Sequence, residues 1–585
     1  MTDRRLAVAA MLAAVAAVAA TYWPVLHGAL VWDDLLCLRD QDWLRGDGAW
    51  QRVFAPDFCG WTNYFRPVAV ALFIFDTRNF GLDPAPMHAL SLGLHLANTL
   101  FVGFIACTLC ADRGARAPIL PAVAMLLYGV HPALMEPVAW ISAQTELAVT
   151  FFMLLGIFLN LVLRRTLART IGVAACFLLA ACSKESAISF PFLLPILDWL
   201  MLPPRSTAWP WRKRLALLWH RQRATYLGVF IGGLVYLALR FWALGYILHS
   251  SAGSVRLAPL AHLQEIAWSY LTYWRILVWP MVGLNPVHLI DERQFATLSA
   301  GSLLSDLGAL AIVAYAAIAF WKRWFAGGLI AVVTASLLPV LHILPVGFDE
   351  SLYHERYVMA PLAAMLVLLP RSIAYIQPTR IVRVGISGAL AIWLIAAVAN
   401  IRVTLPLWAD DTSLWQWALR ANPASVSARE NLLASYIAAK NPHADDFADA
   451  LIADPVPCPT CLLNVAYFSM SEGNTARADA ALARLDAAVD VHLRQASGVA
   501  RAHLHEMQSD TVGAERAYRA AAALDPREPM TKLQLALFLA HMGNVDESRR
   551  IEESALQLFA PDQRAQRRKE FDHAVLEKRT SATPN

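Results

Sequence analysis

The chain has 585 residues, is 57% hydrophobic and only 16% charged, and has a mean hydropathy of +0.45. Soluble globular proteins carry about 25% charged residues, so this composition excludes an ordinary soluble enzyme and reads as a polytopic membrane protein. A net charge of +4 gives no nucleic-acid signature, and the twenty tryptophans suit many membrane-interface positions.

The first element is an uncharged run from Leu6 to Leu26, after "MTDRR". It is long enough to span a bilayer at ~1.5 Å per residue. Ala17-Val18-Ala19 offers a signal-peptide cleavage pattern, but the length of the run and its closing Tyr22-Trp23 pair favour an uncut anchor. Candidate spans then follow at 6–26, 87–110, 118–135, 146–163, 168–182, 187–202, 224–248, 303–321, 325–345, 357–370 and 384–403, eleven in all. The stretch 67–75 is too short before Asp76 and Arg78, and 263–284 carries Glu265 and Arg275, so both read as interfacial or re-entrant.

Lysine and arginine set the orientation. With the N-terminus in the cytoplasm, the cytoplasmic segments, with Arg169 at the edge of the following span, hold 18 Lys and Arg in about 54 residues, against about 10 in about 139 on the other side. An odd number of spans places the C-terminal part outside, with the first outer loop 27–86. The expected location is a bacterial inner membrane, with the C-terminal domain in the periplasm. The membrane domain is expected over 1–403 and an extracytoplasmic domain over 404–585.

This topology gathers acids and bases on the outer face. They are Asp33 and Asp34 in "GALVWDDLLCLRD", then Arg66, His131, Glu136, Glu146, Lys184, Glu185, His342, Asp349, Glu350, His354, Glu355 and Arg356. Arg240 lies in the outer third of span 224–248. An ion inside a span points to function unless it snorkels to the interface. Lys184 could bind a lipid phosphate or pair with Glu185. As a set, these groups suit a reaction between a lipid phosphate and a substrate arriving from outside.

Several segments, in order, carry a resemblance: "VWDD" (31–34), "YFRPVAVALF" (64–73), "GLDPAPMHALSLGLHLANTLFV" (81–102), "GVHPALMEPVAWISAQTELAVTFFMLL" (129–155), "SKESAISFPFLLPILD" (183–198), "HERYVMAPLAAML" (354–366) and "LWADDTSLWQWALRANPASVSARENLLASYIA" (407–438). The chain resembles the transmembrane-and-TPR O-mannosyltransferases and their bacterial relatives, within the GT-C superfamily of polyprenyl-phosphate-sugar-dependent glycosyltransferases. The resemblance covers about 24 to 440. It implies an all-α, multi-spanning fold with an acidic first outer loop, and protein glycosylation of the O-mannosylation type. It also implies Asp33-Asp34 as the catalytic acids, with Lys184-Glu185 and Glu355-Arg356 matching the family's "KE" and "ERY" motifs. One departure stands out: the family usually has an arginine and an aspartate after "WIS", where this chain has Gln144 and Glu146.

The chemistry explains the residue types. A sugar or Ser/Thr hydroxyl is a poor nucleophile at neutral pH, and a placed carboxylate can take its proton. Two adjacent carboxylates raise each other's pKa when poorly solvated, favouring one as base. They could alternatively share a divalent cation, but a metal-free base is the preferred reading, with no cofactor required. The leaving phosphate needs fixed cations, for which Arg66, Lys184, Arg240 and Arg356 are the candidates. His131, Glu136, Glu146, Glu185, His354 and Glu355 would bind substrate or support these groups. A single displacement would invert the anomeric centre. The competing role for Asp33-Asp34 is to cap a short amphipathic surface helix.

In the C-terminal part, Pro423, Pro457, Pro526 and Pro561 are separated by 34, 69 and 35 residues. This matches one, two and one units of the tetratricopeptide (TPR) period, so three to four repeats of a helical solenoid are expected. Its concave surface could hold the acceptor. Cys37 and Cys59 share the first outer loop and can pair as a disulfide. Cys458 and Cys461, in "PCPTC", could form a redox motif or a metal half-site, but with no βαβ redox pattern around them a local disulfide or a reduced structural pair is the preferred reading. Cys107, Cys110, Cys176 and Cys182 read as packing residues. Two rival functions remain: an oligosaccharide transferase using a diphosphate carrier, and a non-catalytic membrane-anchored TPR scaffold for envelope assembly.

Overall fold

A computed structural model describes residues 2–56, 58–59, 64–110, 119–203, 209–247, 258–343, 351–373, 379–485, 491–559 and 564–581. Among these residues the regular structure is helical, with one isolated antiparallel bridge between Leu289 and Ser351. The chain divides into two compact units, Met1–Pro423 and Ala424–Asn585.

The first unit is the membrane-type unit. Among the described residues, seven helices are long and apolar enough to cross a bilayer: Arg5–His27, Pro84–Cys110, Ile141–Val162, Trp211–Leu244, Ala300–Lys322, Glu355–Ile373 and Arg380–Trp408. The remaining four of the eleven expected spans take other forms. Span 118–135 is a bent pair, Leu120–Gly129 and Pro132–Ala139, which meet at 55°. Pro132 opens the break, since it cannot donate into a continuing helix. Two are shorter apolar helices, Leu167–Ser183 and Gly327–Val340. The last is the 11-residue helix Phe190–Leu200, which follows the 3-10 turn Glu185–Ser189. The segments read as non-spanning form the helices Pro67–Phe80 and Pro259–Val278, and neither is among the long apolar helices.

Exposure separates lipid-facing from internal helices. Only 6% of the apolar window of Arg380–Trp408 is buried, against 61% of Ile141–Val162. A wide apolar surface of that kind needs a lipid environment. The internal helices pack closely where small residues allow it. A Cβ on Gly129 would lie 2.3 Å from Val18 Cγ2, so glycine lets the first helix approach the helix Leu120–Gly129.

The first loop is a folded lobe rather than one amphipathic helix. It contains a π-turn at Leu35–Arg39 and 3-10 turns at Asp42–Arg45 and Ala49–Arg52. Leu38, Leu44 and Phe58 pack with Phe73, Ile74, Met87 and Ile141. The disulfide Cys37–Cys59 closes the lobe.

The first unit runs past the expected boundary at 403, to Pro423. Hydropathy falls at 403, but packing continues: Trp408 and Trp415 are buried, and Asn422 Nδ2 donates to Val287 O at 2.7 Å.

The second unit is a succession of amphipathic helices, from Val426–Ala438 to Arg564–Ser581. Successive helices pack on one another. Their buried faces are rich in small residues, including Ala466, Ala478, Ala481, Ala500, Ala502, Ala514 and Ala536. Gly473 and Gly543 take positive φ of 74° and 84° at the ends of helices Pro459–Ser471 and Pro529–His541, a conformation glycine adopts without steric cost.

Candidate functional site

The acidic pair is divided by its surroundings. Asp34 is fully buried, whereas Asp33 is half-buried. Asp34 begins the π-turn but does not cap it. Its Oδ1 accepts from both the backbone N–H and the hydroxyl of Ser142, each at 2.6 Å, and its Oδ2 accepts from Val31 N–H at 3.2 Å. It therefore pins the first loop to the turn Ile141–Ala143. Burial raises the Asp34 carboxyl to about 7, against the bonds from Ser142 and Val31.

The sign of the pH effect follows. With its folded pKa above its unfolded value of 3.8, Asp34 binds its proton more tightly in the folded chain. Its contribution to stability is full at the acid end, below about 4, and is lost as pH rises through about 7. Asp34→Asn is expected to flatten the fall of unfolding temperature over this window, measured by thermal unfolding in detergent. An unchanged slope would contradict the assignment.

The residue before the pair is strained. Trp32 has φ +55°, an outlier for a bulky side chain costing about 1–3 kcal/mol. Three contacts hold it. Its N–H donates to Asp411 Oδ1 at 2.7 Å, its ring stacks on Trp140 with centroids 4.6 Å apart, and it meets Trp415 edge-on at 5.4 Å. Strain of this kind clusters at functional sites.

Trp140 leads to the charged groups. The Arg356 guanidinium lies 5.2 Å from the Trp140 ring centroid and 5.0 Å from that of Tyr357. Arg356 pairs with Glu136, which also accepts from the Arg356 backbone N–H at 3.0 Å. Lys184 pairs with Glu146 and lies over the same Tyr357 ring at 5.0 Å. Glu146 in turn attracts both Arg66 and Arg356 electrostatically.

Lys184 does not pair with its neighbour Glu185. Its extended backbone, φ −161° and ψ 149°, sends consecutive side chains to opposite sides. Glu185 instead receives two guanidiniums: Arg66 Nη2 at 2.7 Å and Arg240 Nη1 at 3.4 Å. Arg240 also donates to Ile247 O at 2.9 Å. Burial is the largest single influence and would raise the Glu185 carboxyl, but the Arg66 charge, its hydrogen bonds and the Arg240 charge together outweigh it and hold the group below the usual range. Two guanidiniums on one carboxylate leave this corner locally cationic.

Glu355 shares a hydrogen bond with His288 at 2.8 Å, and His288 stacks on Tyr353 at 4.1 Å. His354 meets Tyr357 edge-on at 5.5 Å and feels the charges of Arg356 and Lys184. His342 lies 3.4 Å from Glu265. His131 stands apart from the ion pairs. Its Nε2 is 3.3 Å from Leu277 O, and its ring lies 5.8 Å from Trp393. Asp349 and Glu350 lie outside the described residues.

Several members of the network are absent from the expected set. Ser142, Asp411, His288 and Glu265 each hold a candidate residue or its neighbour. Asp76, which ends the apolar run 67–75, is fully buried and accepts from Gln144 Nε2 at 2.9 Å. Gln144 thus contacts an acid. In the second unit, Cys458 and Cys461 form a disulfide. Glu430 offers an oxygen within 4.8 Å of both sulfurs, but a disulfide offers no thiolate to a metal.

No protein-family model matches the chain, and no curated protein matches it.

Proposed function

We propose that this chain is an integral-membrane glycosyltransferase. It moves a sugar from a polyprenyl-phosphate donor to a protein or glycan hydroxyl on the extracytoplasmic face. The observation that carries this reading is the run of aromatic and charged contacts from the Asp33-Asp34 loop through Trp140 and Arg356 to Lys184 and Glu146, with Glu146 in turn attracting Arg66 of the Arg66–Glu185–Arg240 corner. A scaffold has no use for such a network, because burying ion pairs is costly unless they are fully satisfied.

In this reading Asp33, the more exposed acid, takes the acceptor proton as the glycosidic bond forms. Asp34 positions it by anchoring the loop to Ser142. Arg66 and Arg240 receive the phosphate oxygens as the sugar–phosphate bond breaks, with Lys184 and Arg356 behind them. The electron pair of the broken bond stays on the phosphate, and attack from the opposite side inverts the anomeric centre. Glu136, Glu146, Glu185 and Glu355 hold the cations in place between turnovers, and His131 and His354 support the surrounding helices. A divalent cation is not needed for this step.

The finer architecture belongs to the same proposal. Eleven crossings would use the bent pair and the three short apolar helices as spans, with the N-terminus cytoplasmic and the second unit periplasmic. The second unit would be a TPR solenoid of three to four repeats that holds the acceptor. Its consecutive helix pairs and its proline spacing support this.

Donor binding tests the carrier. Purified protein is expected to be stabilised against heat by a polyprenyl monophosphate hexose, less by a diphosphate-linked oligosaccharide. Arg66→Gln with Arg240→Gln should remove most of the stabilisation. A preference for the diphosphate would favour the oligosaccharide transferase, and no stabilisation by either would favour the scaffold.

A further inference from the structure

We propose that a second site, at the other end of the first unit, binds a phosphate-bearing ligand. A cavity of about 510 Å³ lies where the helix Ile141–Val162 ends and the helix Leu167–Ser183 begins. Sites for small molecules run from about 300 to 1,000 Å³. Its lining includes Arg164, Arg165, Arg169 and Arg221, against the single carboxylate of Asp198.

Arg169 is the central observation. It is only 4% exposed, yet among the described residues no carboxylate lies within ion-pair distance of it. Its Nη2 donates to Gln222 Oε1 at 2.9 Å and to Thr225 Oγ1 at 3.1 Å, and its Nε has no hydrogen-bond partner. A buried guanidinium without a paired anion is costly, and an entering phosphate would relieve that cost with charge-assisted hydrogen bonds.

Asp198 attracts Arg169 electrostatically but makes no direct ion pair with it, because Gln222 stands between them. Its Oδ1 accepts from Asn160 at 2.9 Å and Gln222 at 2.8 Å, and its Oδ2 accepts from the Tyr226 hydroxyl at 2.9 Å. These bonds fix Gln222, whose oxygen then fixes Arg169. The guanidinium is therefore held in advance of any ligand. Arg164 and Arg165 are exposed at the rim and would meet an anion first.

The site is separate from the first. Arg169 lies near the start of the 17-residue helix Leu167–Ser183, and Lys184 follows its end, so about 20–25 Å of helix divides them. By the charge bias of the loops this end faces the cytoplasm, where basic pockets between membrane helices hold anionic head groups. The ligand chemistry is a phosphate ester, carried by a phospholipid head group or by a soluble metabolite.

Native mass spectrometry of the full chain in detergent, with thermal unfolding alongside, tests this. The probes are dioctanoyl phosphatidylglycerol, glycerol 3-phosphate and neutral dioctanoylglycerol. Wild type is expected to bind a phosphate probe, and Arg169→Gln to weaken it by about tenfold or more. The rim triple variant Arg164→Gln, Arg165→Gln, Arg221→Gln should do the same, and tests the site even if Arg169→Gln does not fold. Arg212→Gln with Lys213→Gln, nearby but outside the cavity lining, should leave binding unchanged. Binding of the lipid alone identifies a head-group site, and equal binding of glycerol 3-phosphate identifies a soluble ligand. The proposal is overturned if no phosphate probe binds, if dioctanoylglycerol binds equally, or if the rim and control variants behave alike.

Discussion

Asp33→Asn is expected to lower sugar transfer by about 10²–10⁴-fold, the usual contribution of a general base. Asparagine keeps the size of the side chain but cannot accept the acceptor's proton. In the proposed reaction the donor phosphate lies against the cations and not against Asp33, so donor affinity should change little and the loss should appear in kcat. Asp34→Asn should behave differently. Asp34 is buried and holds Ser142 N–H and its hydroxyl at 2.6 Å; an amide in its place keeps one oxygen and loses one acceptor. That variant is expected to lose part of its activity through a displaced loop, with KM and kcat both affected. Steady-state kinetics on the two variants separates the roles, and equal pure kcat losses would contradict the division between base and anchor.

The second large effect concerns stability. Glu136→Gln is expected to destabilise the first unit by about 3–5 kcal/mol, because it strands a buried charge. The Glu136 side chain is 4% exposed and that of Arg356 is 11% exposed. Glu136 also accepts from the Arg356 backbone N–H, so the same carboxylate fixes the start of the helix Met359–Ile373. Replacing both partners, Glu136→Gln with Arg356→Met, should recover much of the loss, because no unpaired charge remains. Thermal unfolding in detergent reads both variants. Equal destabilisation by the single and the double substitution would show that packing, not the stranded charge, dominates.

The membrane class was legible in the sequence because hydropathy is a property of local runs. Seven long apolar helices coincide with expected spans. The Cys37–Cys59 disulfide was legible for a similar reason, since both residues share the first outer loop only 22 residues apart. The span count was less legible. Pro132 breaks one apolar run, and the run at 187–202 divides into a 3-10 turn and an 11-residue helix, which composition alone does not reveal. Pairing was the least legible feature. The sequence places Lys184 beside Glu185, yet Lys184 meets Glu146, and Glu185 meets Arg66 across 119 residues. Trp32 meets Asp411 across 379 residues. Contacts at such distances leave no period in the chain, so Asp411, His288 and Ser142 could not be found by pattern. A signal for Asp76 does exist: a carboxylate inside an apolar stretch is costly to bury without a partner, so its position marks a buried, hydrogen-bonded group as readily as a break in the run.

The central claim is tested most directly by transfer itself. Wild-type protein would be reconstituted alone into liposomes with a radiolabelled polyprenyl-phosphate hexose and an extracytoplasmic acceptor extract. The account predicts protein-dependent movement of label from lipid to acceptor, across a panel of hexoses that includes mannose. Folded protein that moves no label from any monophosphate donor in the panel would contradict it.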